Sequence, residues 1–391
     1  LNDGEYSYSW NSSSSKGKQM KLGILCTMIN GFGRRGYYNS QEIGLGRALA
    51  RKGHEVMIYK GIDPSEKEEK VQVEKNLTIW YLPMKHLGAH GFMDCKYLDP
   101  QLKALFCFGD QQIFLPHVYR WCRRRRIPFV AYVGTAHSLD SNFKSKVMNA
   151  LFAAGTLRIY KKNPVLAKTS AAKEELRQLG VPHAVIAPVG LDNAVLKKNI
   201  PAVEKMRLRK EHGFEADDVI LCNVSRLSWE KRPLELIDLF LQVKGKKKFK
   251  LIIVGNGPLE EELNEKIRKN GLEKEVKIYP NVPYEKMWEI YEMSDHYLNM
   301  NKGEIFGMAI MEAVYYKTSV AAIRALGPSV TLKDMKGHKL CENDDEMAEW
   351  ITGPYPSEKD LQESSEKMAA TFTWDRCADA FLQASSEKSS R

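Results

Sequence analysis

The sequence predicts an α/β protein made of two Rossmann-like domains that face a cleft. Continuous apolar strands alternate with amphipathic helices in two successive series, and glycine-bearing loops directly follow strands in each series. Such alternation is typical of parallel sheets that are covered by helices on both faces. A chain of 391 residues is also long enough for two domains with substantial cores.

The first series begins with an apolar strand at 22–26, which leads into the glycine-bearing segment at 30–36. A helix is predicted over 40–52, because Gly53 is typical of the position just beyond a helix C-terminus. Further strands of this series are predicted at 55–59, 77–82, 105–108, 129–133, 164–168 and 184–187.

The second series begins with a strand at 219–224. Its other strands are predicted at 250–254, 276–279, 296–299 and 319–322, and helices between them at 234–243, 259–270 and 285–293. Two such units joined near 191–201 imply two domains.

Composition restricts the class of protein. The chain is 43% hydrophobic and 28% charged, and no apolar run approaches the ~20 residues of a membrane-spanning helix, so we expect no integral membrane protein. Residues 1–19 lack the apolar core of a secretory signal and are interpreted as a flexible tail or an expression remnant. The seven scattered cysteines include no C-x-x-C pair, which favours free thiols in a reducing cytoplasm over a disulfide framework or a zinc site.

The net charge of +10 raises the question of an anionic partner. Basic residues form a run at 123–126 and a cluster at 244–250. An anionic membrane surface and an anionic substrate explain them equally well, and a solvated helix end or turn needs no partner. Nucleic acid is less favoured, because no zinc finger, recognition helix or aromatic-interleaved basic sheet is evident. We therefore expect a cytoplasmic protein, with peripheral contact to the inner membrane face left open.

Two carboxylates bracket the most informative segment, Glu304-Ile-Phe-Gly-Met-Ala-Ile-Met-Glu312. The apolar run at 308–314 predicts a buried helix whose first amide groups face an anion. Glu304 is then expected in the loop before the helix and Glu312 about two turns into it. Because carboxylates accept hydrogen bonds from vicinal hydroxyls, the pair indicates a sugar–phosphate–ribose ligand. The alternative is a helix-capping glutamate followed by an unrelated, partly exposed one.

Arg226 and Lys231 lie on a predicted strand-to-helix turn, at the sheet edge where open α/β folds bind ligands. A guanidinium fork and an ammonium group at this edge suit a diphosphate, and a solvated basic turn is the alternative. Gly255 and Gly257 follow the next strand and indicate either a close approach to a nucleotide or a plain tight turn.

The first series carries weaker signals. Gly31, Gly33 and Gly36 have the spacing of a dinucleotide loop, but no acidic residue ends the second strand, which favours a phosphate or acceptor loop over NAD binding. His137 and Asp110 each follow a strand and are predicted at the cleft rim. His137 suits a contact to a donor-sugar hydroxyl or a general base, and a structural role is the alternative for both residues.

The order of these motifs resembles the family-4 retaining glycosyltransferases of GT-B fold. The resemblance spans roughly residues 20–380 and rests mainly on the segment Ser225-Arg-Leu-Ser-Trp-Glu-Lys-Arg232 together with the Glu304…Glu312 pair. It implies an N-terminal acceptor-side domain at 20–195 and a C-terminal nucleotide-sugar domain at 196–372. A helix at 373–391 is implied to return to the first domain.

The resemblance implies four catalytic residues, namely Glu304, His137, Arg226 and Lys231. Arg226 and Lys231 hold the donor diphosphate, Glu304 takes a donor-sugar hydroxyl, and His137 approaches that sugar from the first domain. The other implied donor-binding residues are Glu312 at the ribose, Val282 beside the base, Gly33 near the diphosphate, and Ile305, Phe306 and Gly307 through their backbone amides.

The implied reaction moves a hexose from a nucleotide diphosphate donor, preferably a UDP-sugar, to a hydroxyl of a glycan, lipid or protein. Attack on the same face of the sugar, with no metal and no other cofactor, is part of this implication. The donor and acceptor stay open, because the segments at 315–319 and 324–328 and Pro280 depart from the family pattern. The alternatives are a nicotinamide-dependent Rossmann oxidoreductase and a catalytically silent nucleotide-sugar-binding scaffold.

Overall fold

Two parallel sheets form the framework of the protein. The structure, a computed structural model, describes residues 19–29, 40–136, 143–192, 195–197 and 200–386. Within these ranges the predicted alternation of strands and helices is present in both halves of the chain, so the predicted α/β class is confirmed.

The strands of the N-terminal half are Lys21–Cys26 (β1), Glu55–Ile62 (β2), Glu69–Glu74 (β3), Leu77–Pro83 (β4), His86–Leu87 (β5), His90–Gly91 (β6), Ala104–Phe108 (β7), Phe129–Val133 (β8), Val165–Ala167 (β9) and Val185–Ile186 (β10). Its helices are Gln41–Arg51 (α1), Leu115–Arg124 (α2), Phe143–Ala154 (α3), Thr156–Tyr160 (α4) and Ser170–Gln178 (α5). Eight strands form one sheet in the order β10-β9-β8-β7-β1-β2-β4-β3, in which β3 alone runs antiparallel to its neighbour among the described strands.

The strands of the C-terminal half are Val219–Val224 (β11), Phe249–Val254 (β12), Val276–Tyr279 (β13), His296–Asn299 (β14), Ser319–Ile323 (β15) and Lys339–Cys341 (β16). Its helices are Ala202–Glu211 (α6), Pro233–Val243 (α7), Glu260–Lys269 (α8), Met287–Met293 (α9), Met308–Tyr315 (α10), Leu326–Thr331 (α11), Asp344–Thr352 (α12), Glu358–Thr371 (α13) and Trp374–Ser386 (α14). The six strands are parallel in the order β13-β12-β11-β14-β15-β16.

The strand order of the second sheet reverses between β11 and β14. Strands β12 and β13 are added on one side of β11, and strands β14, β15 and β16 on the other side. Open α/β sheets bind ligands outside the carboxyl ends of their strands at such a switch point. The loops that follow β11 and β14 carry Lys231 and Glu304, so the strand order by itself brings both loops to one edge.

Some elements differ from the predictions. The edge strand β3 was not predicted, because its sequence Glu-Lys-Val-Gln-Val-Glu is mostly exposed and carries little apolar signal. The short strand β16 and the hairpin β5–β6 were also missed. The helix predicted over 285–293 begins as a 3-10 turn at Tyr284–Lys286 and becomes α-helical only at Met287.

The chain crosses between the halves twice, and the two crossings lie side by side. The amide of Leu191 donates to the carbonyl of Phe372 at 2.9 Å. A Cβ atom on Gly190 would lie only 2.0 Å from the backbone nitrogen of Trp374, and one on Gly44 of α1 only 2.1 Å from its indole nitrogen. Helix α14 therefore starts in this contact and packs on α1, which confirms the predicted helix that returns to the first domain.

Buried thiols agree with the sequence-based expectation. All seven cysteines are buried and free. No helix in the described part of the chain combines the length and apolar character that crossing a membrane requires.

Candidate active site

The loop between β11 and α7 carries the predicted cationic pair. Arg226 is exposed, and within the described ranges its guanidinium has no hydrogen-bond or ion-pair partner. Lys231 ends the 3-10 turn Trp229–Lys231, and its Nζ lies 2.9 Å from Oε2 of Glu304. The structure therefore brings Lys231 and Glu304 into direct contact and leaves Arg226 open to solvent.

Arg232 turns the chain from this loop into α7. Its φ of 55° lies in the left-handed region, which side chains other than glycine rarely adopt. Its guanidinium donates to both carboxylate oxygens of Asp344, at 3.0 and 2.8 Å. Pro233 then occupies the first turn of the helix, where its missing N–H removes no hydrogen bond. The bidentate pair with α12 thus holds the strained residue that follows Lys231.

Glu304 lies in the loop before α10, as predicted, with its side chain only 15% exposed. Besides Lys231, the side-chain amides of Asn301 and Asn299 donate to its Oε2, at 3.1 and 3.5 Å. Burial opposes ionisation of this carboxyl, but the Lys231 charge and these hydrogen bonds outweigh it and hold the pKa of Glu304 below its usual value. Glu304 is consequently a carboxylate at neutral pH.

The N-terminus of α10 follows directly. Gly307 precedes the helix with a φ of 85°, a conformation that suits glycine. In the described part of the chain, the amides of Ile305, Phe306 and Gly307 donate no hydrogen bond, although Phe306 and Gly307 are buried. Unpaired amides at a helix start attract anions, so their position is compatible with the predicted contact to sugar and phosphate.

Glu312 is buried at 5% exposure, four residues into α10 and therefore just over one turn from its start rather than two. Its carboxylate accepts hydrogen bonds from the hydroxyls of Tyr291, at 2.8 Å, and Tyr284, at 3.3 Å. A carboxylate oxygen can accept more than one hydrogen bond, which is the property that a contact to ribose hydroxyls requires. A small cavity beside it is lined by Tyr284, Trp288 and Leu196.

Gly255 and Gly257 have a packing role. A Cβ atom would lie 1.9 Å from the carbonyl oxygen of Ser225 if added to Gly255, and 2.4 Å from that of Leu227 if added to Gly257. The close approach predicted at these glycines is therefore to the neighbouring loop of the chain itself. The same loop reaches the predicted base position, because the side-chain amide of Asn256 donates to Asn281 Oδ1 at 2.7 Å. Val282 follows there, half-buried.

The first domain contributes a braced turn at the carboxyl end of β8. Asp110 accepts from the amide of Gly134 at 2.6 Å and pairs with Lys168 at 3.2 Å, while Glu175 accepts from the amide of Ala136 at 3.0 Å. These bonds favour the structural alternative for Asp110. The predictions for His137 and Gly33 lie outside the described residues.

Four side chains of the site are not predicted by the sequence reasoning, namely Asn299, Asn301, Tyr284 and Tyr291. Asn299 and Asn301 could have been found, because two amides directly at the end of an apolar strand are typical of a ligand edge. Tyr291 lies inside a buried helix, where an aromatic residue looks the same as a core residue.

Comparisons with known proteins bear on the fold and on the class of enzyme. Residues 204–367 match the family model described as Glycosyl transferases group 1. D-inositol 3-phosphate glycosyltransferase from Xylanimonas cellulosilytica is 22% identical over 403 residues, covering 92% of this chain and 94% of that protein.

Two solved structures are similar over almost their whole length. Sucrose-phosphate synthase from Thermosynechococcus elongatus has a TM-score of 0.72 at 15% identity, covering 95% of this chain and all of that one. Anabaena HepE in complex with UDP and glucose has a TM-score of 0.69 at 16% identity, covering 94% of this chain and 100% of that one. The protein is a glycosyltransferase with the GT-B fold, which sets aside the nicotinamide oxidoreductase alternative.

Proposed function

We propose that this glycosyltransferase moves a hexose from a UDP-sugar to an acceptor hydroxyl, with retention of the anomeric configuration and without a metal. The observation that carries the proposal is the 2.9 Å contact between Lys231 and Glu304 at the switch point of the second sheet. The UDP and glucose in the similar HepE structure support the choice of donor.

In this proposal the donor diphosphate lies between Arg226, Lys231 and the amides at 305–307. Lys231 turns from Glu304 towards a phosphate oxygen when the donor binds, and the released Glu304 carboxylate accepts a hydrogen bond from the hexose. Glu312 takes the ribose hydroxyls, and Val282 lies beside the base. Gly33 near the diphosphate and His137 near the hexose complete the site from the first domain.

The proposed chemistry is a single group transfer. The bond between the anomeric carbon and the β-phosphate oxygen breaks, and a bond from the acceptor oxygen forms on the same face of the sugar. The proton of the acceptor hydroxyl passes to the departing phosphate oxygen. Arg226, Lys231 and the helix-start amides stabilise the negative charge that develops on the diphosphate, the role that a divalent cation plays in other enzymes.

The test is donor turnover with a crude acceptor extract, for the wild type, Lys231→Ala and Glu304→Ala, with and without a chelator. We expect each variant to lose about 100-fold in turnover, as is typical when one group that stabilises developing charge is removed. Lys246→Ala, which removes an exposed lysine from the turn after α7, is the matched control. Wild-type turnover in both site variants would remove the assignment. A silent scaffold would bind UDP-sugar and turn over none of it.

We further propose a cytoplasmic location, with 20–195 as the acceptor-side domain and 196–372 as the nucleotide-sugar domain. The seven buried, free thiols support a reducing compartment.

A further inference from the structure

An unpartnered apolar groove lies on the N-terminal half. It has a volume of about 460 Å³ and is lined by the β5–β6 hairpin and by α3. Four of the eleven exposed large hydrophobic side chains in the described part of the protein line it. They are Leu87, Phe143, Val147 and Leu151, and we call them the apolar face. Exposed apolar clusters of this kind mark interaction sites on soluble proteins.

Helix α3 shows why this face needs a partner. Phe143, Val147 and Leu151 recur every four residues, so they lie on one side of the helix, and they are 83, 42 and 48% exposed. Phe152 lies on the other side, is only 3% exposed and packs its ring 5.8 Å from Tyr160. The helix therefore already packs one face against the core of the protein. Its second apolar face makes no contribution to that core.

The chain segment that contains α3 is strongly cationic. Residues 111–173, which include α2, α3 and α4, contain twelve lysines and arginines and one acidic residue, Asp140, for a net charge of +11. The whole chain carries +10, so the remainder is close to neutral at −1. Helices α3 and α4 are in contact, and a Cβ atom added to Gly155 between them would lie 3.2 Å from the Pro116 side chain of α2. Exposed basic side chains, among them Arg120 on α2, Lys146 on α3 and Arg158 on α4, therefore lie on the helix that carries the apolar face and on the helices α4 and α2 that pack in succession beside it.

The groove lies at the carboxyl edge of the first sheet. The hairpin is held to the segment after β1, because the amide of Ile29 donates to Ala89 at 3.0 Å and that of Gly91 to Thr27 at 2.9 Å. Helix α3 follows the carboxyl end of β8. A ligand in the groove therefore lies on the edge where α/β sheets bind their substrates.

We propose that the apolar face and its basic surround dock on an anionic lipid bilayer, and that the acceptor is consequently a lipid of that bilayer. A hydrocarbon chain enters the groove, and exposed side chains such as Arg120, Lys146 and Arg158 contact lipid phosphates. Basic residues combined with exposed apolar side chains are the combination that interfacial binding requires. The acceptor assignment rests on the proposed transferase function, whereas the docking does not.

The first experiment measures sedimentation of the full chain with vesicles of phosphatidylglycerol and phosphatidylcholine, in the absence of donor. We expect binding that is lost in pure phosphatidylcholine and weakens as salt is raised. Val147→Ser with Leu151→Ser is expected to weaken binding about tenfold. Val203→Ser with Met206→Ser, which removes exposed side chains from α6, is the matched control.

A charge-reversal pair separates electrostatic from apolar binding. Arg120→Glu with Lys146→Glu is expected to weaken vesicle binding about tenfold or more. Lys246→Glu with Lys269→Glu makes the same change of net charge on the second domain and should leave binding near the wild-type value. Equal losses in both pairs would overturn the assignment of the surface.

Two further readouts keep the outcomes distinct. Light scattering measures whether the protein forms a dimer. If the wild type is a dimer, if Val147→Ser with Leu151→Ser is a monomer, and if the wild type does not bind vesicles, then a second copy covers the apolar face and the proposal is overturned. Calorimetric titration with UDP tests the donor site independently. If the protein binds vesicles but not UDP, membrane docking is supported and the proposed donor is wrong. If it turns over water-soluble acceptors fully but does not bind vesicles, membrane docking is overturned and the proposed transferase function stands.

Discussion

Lys231 and Glu304 form an ion pair. Both are partly buried, at 24 and 15% side-chain exposure, where an unpaired charge would be costly. In the proposed donor complex, the diphosphate replaces Glu304 as the anionic partner of Lys231, and a hexose hydroxyl replaces Lys231 as a hydrogen-bond donor to Glu304. Binding is then an exchange of partners in which Lys231 keeps an anionic partner and the Glu304 carboxylate keeps hydrogen-bond donors, among them Asn299 and Asn301.

Glu304→Gln tests this exchange. The amide keeps a similar size and its oxygen can still accept from Asn301 and Lys231, but it carries no negative charge, so the ion pair with the Lys231 ammonium is lost. We expect UDP to bind as tightly as in the wild type or more tightly, while turnover falls about 10- to 100-fold, because the hexose loses its anionic acceptor. Calorimetry and initial rates provide the two measurements. Glu265→Gln, on an exposed position of α8, is the control, and weaker UDP binding in Glu304→Gln would contradict the exchange.

His296 links stability to pH. This histidine of β14 is only 1% exposed, and burial lowers its pKa from 6.5 to about 4, although Asp295 acts in the opposite direction. Between these values the unfolded chain binds a proton that the folded protein does not, so stability falls as the pH decreases from 6.5 towards 4.

We expect His296 to lower the free energy of unfolding by about 2 kcal/mol as the pH falls from 7 to 5. His296→Leu should therefore show a shallower loss over this interval in urea unfolding, whatever its stability at pH 7. An equally steep loss in the variant would mean that other groups cause the acid sensitivity.

Among the elements, the loops after β11 and β12 act as one unit. Gly255 and Gly257 allow the second loop to lie against the backbone of the first, and the amide of Leu227 donates to the carbonyl of Asn256 at 3.0 Å. This contact fixes the loop that carries Arg226 and Lys231. Gly255 and Gly257 therefore affect the site by holding the loop after β11 in place.

Gly255→Ala is expected to displace this loop. Gly255 has a φ of 143°, and the new methyl group would lie 1.9 Å from the Ser225 carbonyl, against rigid backbone. We expect a loss of stability of about 3 kcal/mol or more and weaker UDP binding, measured by thermal unfolding and calorimetry. Gly271→Ala is the control. Gly271 also has a positive φ, but no atom lies near its added methyl group, so the free energy of unfolding should fall by only about 1 kcal/mol and UDP binding should be unchanged. Similar behaviour of both variants would refute the loop contact.

The sequence predicted the positions of strands and helices more accurately than the contacts between them. It placed β11, β13 and β14 at their observed residues, because apolar runs of this length depend on local sequence alone. It missed β3, which is held by pairing with β4 rather than by apolar content. It also placed Glu312 one turn too deep, since the helix start is set by Gly307 in the left-handed conformation.

Across the whole molecule, the paired crossings and α14 couple the two halves. Arg47 of α1 pairs with Asp192 of the first crossing at 2.6 Å, and Lys52 of α1 pairs with Asp379 of α14 at 2.7 Å. Buried residues of both halves form one continuous hydrophobic cluster, which includes Phe381 of α14. A change at the crossings should therefore affect the molecule as a unit.

Gly190→Ala tests this coupling. A Cβ atom there would meet the backbone of Thr373 at 2.3 Å and of Trp374 at 2.0 Å, so the two crossings would have to separate. We expect thermal unfolding to occur at a lower temperature and to split into two transitions. Gly180→Ala is the control: its positive φ of 82° makes alanine cost about 1 kcal/mol, but the Cβ would meet only the flexible end of Lys161 at 3.2 Å, so a single transition should remain. One unshifted transition in Gly190→Ala would show that the crossings do not couple the halves.

The sequence by itself determined the alternation of strands and helices and the position of Arg226, Lys231 and Glu304 in loops after strands, because these depend on local periodicity. The domain limits and the roles of all the site residues, His137 and Gly33 included, stay predictions. Only the tertiary structure decided that Lys231 contacts Glu304, 73 residues away, and that the tyrosines of α9 and the turn before it hold Glu312. Strand order and packing bring these distant segments together, and no local pattern encodes which side chains then meet.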